Sequence, residues 1–264
     1  MSNSPDLIRR LAVLASLLTL APGVLTYARA DGVWTVSTGF DYSSGRYGEA
    51  AHSEMLTVPF GVKYEASPWT LRLTIPYVEV QGPSNVVASG GDPITLQRAG
   101  ATHRVARGMG DVVLGGAWTA FQQDGWLLDL GGKVKFATGN ASQGLSTGKN
   151  DYSLQADVYR KLGIGTVFAT LGKRKMGDPE GVNLADPAYG TLGWSMPLTV
   201  GMSGGATYDY RQKLQPSGAP VRELTVFVTH RFDEAWKIQG YVVSGYSPAS
   251  PDLGGGLLLF YSPR

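Results

Sequence analysis

Residues after Asp31 alternate apolar and polar with period two, no period of 3.6 persists, and the connections between alternating segments are by turns long and short. These three observations predict an all-β fold, a transmembrane antiparallel up-and-down β-barrel of about 12 strands preceded by a cleaved signal peptide.

The N-terminus reads as an export signal. Arg9 and Arg10 precede an uncharged stretch, "LAVLASLLTLAPGVLT" from Leu11 to Thr26, and Ala28 and Ala30 supply the small residues of a cleavage site. Residues 1–30 are therefore expected to be the signal peptide and 31–264 the barrel. Pro22 and Gly23 interrupt the apolar stretch, which falls short of the ~20 residues a helical span needs. The absence of cysteine excludes disulfides and a lipoprotein anchor. Removing Arg9, Arg10, Arg29 and Asp6 takes Lys plus Arg from 23 to 20 and Asp plus Glu from 21 to 20. A neutral mature chain gives no reason to expect a nucleic-acid partner.

Each strand follows from its alternation. In "WTVSTGFDY" Trp34, Val36, Phe40 and Tyr42 oppose Thr35, Ser37 and Asp41. "LTVPFGVKY" sets Leu56 to Tyr64 against Lys63 and Glu65, and "WTLRLTIPY" sets Trp69 to Tyr77 against Arg72. "DVVLGGAW" opposes Val112, Leu114 and Trp118 to Asp111. "DGWLLDLGGKVKF" opposes Trp126, Leu128, Leu130, Val134 and Phe136 to Asp129, Lys133 and Lys135. "YSLQADV" opposes Tyr152, Leu154 and Val158 to Gln155 and Asp157. "LTVGMSGGATYDYR" opposes Leu198 to Tyr210 to Asp209 and Arg211, and "ELTVFVT" opposes Leu224, Val226 and Val228 to Glu223. Weaker strands are expected near 166–173, 189–196, 236–246 and 253–261.

The connections separate a barrel from a sandwich. Long ones centre on 43–53, 81–107, 138–150, 174–187, 212–220 and 247–252, and short ones on Ala66, Gln122, Leu162, Pro197 and Asp233. All the short turns then fall at one end, as in outer-membrane barrels, whereas a Greek-key sandwich has no reason to alternate so regularly. Trp69, Trp126 and Trp236 each follow a short turn at once, which places them at one membrane interface. The apolar faces then meet lipid, and the sheet must close because unpaired backbone does not survive there. The expected surroundings are outer-membrane lipid and lipopolysaccharide of a Gram-negative bacterium, reached through the barrel assembly machinery; the oligomeric state stays open. Arg160, Arg174 and Arg222 fall on the outward parity near strand ends, where long side chains snorkel.

The inward faces carry Lys63, Arg72, Lys133, Lys135, Lys173, Arg211, Arg231 and Lys237 against Asp41, Glu65, Asp111, Asp129, Asp157, Asp209 and Glu223. Apolar inward candidates are Val78, Val80, Phe121 and Tyr159. Pairing Trp118 with Leu128 sets Asp111 opposite Lys135 and Val113 opposite Lys133. Asp111, Lys133, Lys135 and Asp157 are then expected to form one ionic ladder near the outer mouth.

"GMGDVVLGGAW" from Gly108, "KVKFATGN" from Lys133 and "GLSTGKNDYSLQADVYRKLG" from Gly144 resemble the meta-pathway phenol-degradation outer-membrane protein family over about a quarter of the chain. The family's motif falls on Gly108, Gly110, Asp111, Thr138 and Gly139, with Ala137 where the family commonly has proline. The resemblance implies an outer-membrane barrel connected with uptake of aromatic or other organic compounds. The glycines themselves read as structural, at points where long loops meet the barrel.

An enzyme is not expected. The three histidines, His52, His103 and His230, have no Ser or Asp at catalytic spacing and no metal-ligand spacing, so no cofactor or metal is implied. Two functions remain. One is a channel through which small solutes diffuse; the other is a closed structural or surface-binding barrel with an ion-pair-filled lumen. The segment Gln81–Arg107, the longest loop, mixes glycines with Val86, Val87, Ile94 and Leu96, and is expected to fold over the mouth as a gate.

Overall fold

The structure is a computed structural model that describes residues 32–96 and 102–263. The expected signal peptide, residues 1–30, lies outside them. Fifteen strands and no helix are present among the described residues. They are β1 (Val33–Gly45), β2 (Ser53–Ala66), β3 (Trp69–Pro83), β4 (Val86–Ser89), β5 (Asp92–Thr95), β6 (His103–Met109), β7 (Val112–Gln123), β8 (Trp126–Phe136), β9 (Asp151–Leu162), β10 (Gly165–Lys175), β11 (Ala188–Thr199), β12 (Met202–Arg211), β13 (Val221–Arg231), β14 (Trp236–Gly245) and β15 (Leu253–Tyr261).

Every stave pairs antiparallel with its sequence neighbour, and β1 pairs with both β2 and β15, which closes the barrel. β6 and β7 form a single stave. Both pair with β3, and the chain breaks between them at Gly110–Asp111 with one extra residue opposite Ile75 and Pro76. The barrel therefore has twelve staves, the expected fold. β4 and β5 pair only with each other.

The exposed apolar side chains form a band around the outside. All six tryptophans lie on it, in the halves of their strands that face the short turns. Tyr42, Tyr77, Tyr152, Tyr208, Tyr210 and Phe136 are exposed toward the long-loop end. An apolar band between two aromatic girdles is the pattern that a lipid bilayer imposes on a barrel. Arg160 is outward as expected and stacks on Trp126, 4.8 Å from its ring centre, while Arg222 is outward and exposed.

Local chemistry corrects five expectations. The turn after β7 is a tight Asp124–Gly125 pair, both residues at positive φ (51° and 77°), not a loop over 122–125. Together with a bulge between Thr119 and Phe121 it sets Trp118 opposite Leu130 and Val113 opposite Lys135, two residues from the expected register. The bulge also turns Phe121 outward, where it is 48 % exposed rather than lumenal. On β10 the parity is reversed: Arg174 points inward and is buried, and Lys173 is exposed outside. The β11–β12 turn falls at Val200–Gly201, with Gly201 at φ 77°, and Pro197 sits within β11 opposite Ser203.

Inside the wall, several large rings stand directly across from glycines. Phe168 faces Gly193, Tyr189 faces Gly172, Phe227 faces Gly205 and Tyr241 faces Gly256. A Cβ added at any of these glycines falls within 3 Å of the facing ring. The ring thus fills its neighbour's missing side chain and covers bare backbone.

Candidate functional site

The site begins at the Gly90–Gly91 turn. Two glycines at φ 66° and 100° between two short apolar strands make a tight hairpin of β4 and β5, which pair from Val86–Thr95 to Ser89–Asp92. The segment expected to fold over the mouth thus forms a hairpin that packs inside it. Ala88 is buried against Met55, Val78, Val80, Ala106 and Leu145, and Val87, Ile94 and Leu96 pack on Met176, Val182 and Leu184. Backbone ties fix it: Ala88 N–H donates to Gly144 O at 2.9 Å, and Arg104 Nη2 donates to Val86 O at 3.1 Å. Thr57 Oγ1 donates to Gly91 O at 3.3 Å, so the tip reaches the wall well below the rim. Apolar packing in two clusters and a hydrogen bond at the tip hold the hairpin inside the lumen.

The motif residues gather where the β6–β7 stave breaks. Gly110 N–H donates to Pro76 O at 2.8 Å. Thr138 Oγ1 donates to Gly110 O at 3.2 Å and accepts from Val112 N–H at 2.9 Å, bridging both sides of the break. Asp111 Oδ1 accepts from Gly139 N–H at 3.0 Å, and its Oδ2 accepts from Lys135 Nζ at 2.8 Å. Lys135 also donates to Thr147 Oγ1 at 2.9 Å and Lys149 O at 2.8 Å, and lies 3.4 Å from Asp151 Oδ2. The motif is a knot that ties a broken strand to the loop after β8. Gly139→Ala is expected to loosen it, because a Cβ there falls 2.5 Å from Leu145 O and 3.1 Å from the Gly110 carbonyl carbon, both backbone. We expect a loss of about 1–3 kcal/mol in urea unfolding, in line with overpacked sites.

The other lumenal residues sort by depth. Lys63, Arg72, Asp129, Lys133, Asp157, Asp209, Arg211 and Glu223 all lie on the inner face. The ladder expected of four charges does not form. Two residues of register shift place Gly115 opposite Lys133, and Asp111 reaches Lys135 only because it sits in the strand break. Asp157 is held by Gln155 Nε2 at 2.7 and 3.0 Å and by Thr170 Oγ1 at 2.5 Å. Asp151, the second carboxylate on Lys135, lay at the end of a long loop, where alternation gives no orientation. Toward the turn end Lys63 pairs with Glu65 at 2.7 Å, and Leu127, Tyr159 and Phe168 pack together with Tyr159 inward as expected.

Between the hairpin tip and the opposite wall lies a cavity of about 160 Å³. Lys133, Arg174 and Arg211 line it from β8, β10 and β12, and Asp41, Asp209, Glu223 and the hairpin's Asp92 line it too. The hydroxyls of Thr191 and Thr207 donate to Asp209 at 2.6 and 3.0 Å, and the Tyr241 hydroxyl donates to Asp41. Burial raises the Asp92 carboxyl above the ordinary carboxylate range, against the pull of Arg174, Arg211 and Lys133. Among the described residues there is no cluster of metal-ligating side chains.

No family model and no curated protein matches the chain. Solved structures do. An outer membrane channel from Pseudomonas putida F1 superposes with a TM-score of 0.67 at 13 % identity, covering 93 % of this chain and 100 % of that one. The KdgM porin gives 0.53 at 8 % identity over 87 % of this chain and 99 % of its own, and the NanC porin 0.50 at 9 % over 88 % and 99 %. At these identities the likeness establishes a shared fold, that of outer-membrane channel and porin barrels.

Proposed function

We propose that the chain is an outer-membrane channel through which small organic solutes diffuse, narrowed by the β4–β5 hairpin. The observation that carries this reading is the cavity beside the hairpin tip, lined by charged groups that no neighbouring side chain fills. A barrel built only as a scaffold gains nothing from gathering charges of both signs around a cavity without direct pairing, since poorly paired buried charges cost stability. The resemblance of the Gly108–Gly110 and Thr138–Gly139 motifs extends the solute class to aromatic and other organic compounds. The apolar band and girdles support insertion in lipid, and the export signal supports a mature chain that starts at Asp31. In this reading lipopolysaccharide and phospholipid surround the wall, the assembly machinery inserts it, and no catalytic residue or cofactor takes part.

A second reading rests on the turn end of the lumen, where Phe227, Gln239 and Ser195 are almost wholly buried. Side chains packed at that depth would make the barrel a closed platform for its loops. Solute influx into proteoliposomes separates the two. Vesicles carrying the mature protein should swell in small sugars and in benzoate faster than empty vesicles; swelling equal to that of empty vesicles would select the closed platform.

A further inference from the structure

Lys133, Arg174 and Arg211 are the cations of the hairpin cavity, and none of them lies within 4.0 Å of a carboxylate among the described residues. Lys133 and Arg174 are more than nine-tenths buried, and the buried Arg211 Nε has no hydrogen-bond partner. Lys133 and Arg174 are both paired with Ser153, one on each side, so they stand two strands apart at one level. Arg211 is paired with Tyr189, whose ring lies 5.9 Å from both Lys133 Nζ and the Arg174 guanidinium carbon. Two of the charges thus flank one aromatic ring, and Arg211 lines the same cavity from the next strand.

The contrast with the other lumenal charges is what gives this meaning. Lys135 has four partners, and Lys63 is paired with Glu65. Among the described residues Arg72 and Lys237 also lack a direct ion pair, but they lie toward the turn end, outside this cavity, with Lys237 over the Phe260 ring. On the acidic side, Asp209 and Asp41 are satisfied by wall hydroxyls. Asp92, at the tip of the hairpin, feels all three cations without touching any. Glu223 likewise lines the cavity and feels Arg211 without an ion pair. Buried cations with no carboxylate in direct contact form a preorganised anion site, and guanidinium pairs suit a planar carboxylate.

We propose that Lys133, Arg174 and Arg211 are a binding station for the carboxylate of a small organic acid, and that the hairpin's Asp92 competes for it. A solute carboxylate at the station takes over the counterion role that Asp92 fills from a distance. The Tyr189 ring offers an apolar flat body something to lie on. The proposal rests on the channel reading for its biological sense, but it is tested by binding alone.

The test is calorimetric titration of the detergent-solubilised, heat-modifiable barrel with sodium benzoate, using benzamide as the neutral isostere. Benzoate should bind and benzamide should not. Arg174→Gln and Lys133→Met should each weaken benzoate by about tenfold or more, as expected for losing one charge from a poorly hydrated site. Asp92→Asn, a tip substitution outside the barrel wall, should tighten it. Equal binding of benzamide, or benzoate affinity indifferent to Arg174→Gln in a folded barrel, would overturn the station. Unchanged or weaker binding by Asp92→Asn would overturn the competition. A barrel that binds benzoate through Arg174 yet stays silent in bilayers would refute the channel and keep the station; a conducting barrel indifferent to all three substitutions would do the reverse.

Discussion

Deleting residues 84–101 is expected to raise the ion conductance of the barrel several-fold. The ends of the excision already lie side by side, because Pro83 pairs with His103, so a two-residue link closes the gap. The wall is untouched, since β4 and β5 pair with no stave. What is lost is the apolar filling that Val86, Val87, Ala88, Ile94 and Leu96 place inside the mouth. Heat-modifiable gel mobility identifies correctly assembled protein, and bilayer recordings on that fraction give the result. Conductance equal to wild type in such a barrel would mean that the hairpin does not set the width of the path.

The second large effect concerns stability. Lys135→Met should cost roughly 3–5 kcal/mol, the range found when one partner of a buried ion pair is removed. Lys135, Asp111 and Asp151 have side-chain exposures of 6 %, 0 % and 3 %, so both carboxylates would be left in a dry site. The loop after β8 would also lose the contacts that Lys135 makes to Thr147 and Lys149. Lys63→Met is the control. Its pair with Glu65 is 17 % and 28 % exposed, and pairs so open contribute up to about 1 kcal/mol. Urea unfolding in vesicles compares the two. A similar small loss for both would show that the Asp111 knot is not what holds the broken stave. Adding Asp111→Asn to Lys135→Met should recover part of the loss, because it removes one of the stranded charges.

The barrel was legible because lipid and lumen impose opposite demands on alternate residues, and a two-residue error in register leaves those faces unchanged. Trp118 could therefore be paired wrongly with Leu128 while Lys133 and Lys135 were still placed inside. Parity failed where both faces carry apolar groups. On β10, Val167 faces out and Phe168 faces in, so the pattern did not mark Arg174 as lumenal. It failed again at Phe121, where a bulge adds one residue that alternation does not reveal. The hairpin carried a readable signal. Gly90–Gly91 flanked by Val86–Val87 and Ile94 is a two-residue turn between apolar arms. Its docking inside the barrel was not readable, because that depends on Met55, Leu145 and Met176 from three separate segments. The Asp111–Lys135 contact was found in the sequence, whereas Asp151 needed the loop's path, and the convergence of Lys133, Arg174 and Arg211 needed the parity of β10.

The central claim is that a continuous path runs through this lumen beside the hairpin, and single-channel recording of the mature wild-type protein in planar bilayers tests it most directly. The channel reading predicts discrete, small conductance steps that appear only with heat-modifiable protein. They should have a reversal potential in a salt gradient that Arg174→Gln shifts toward cations. A wild-type barrel that inserts but passes no current would contradict it, whether or not removing residues 84–101 opens a path.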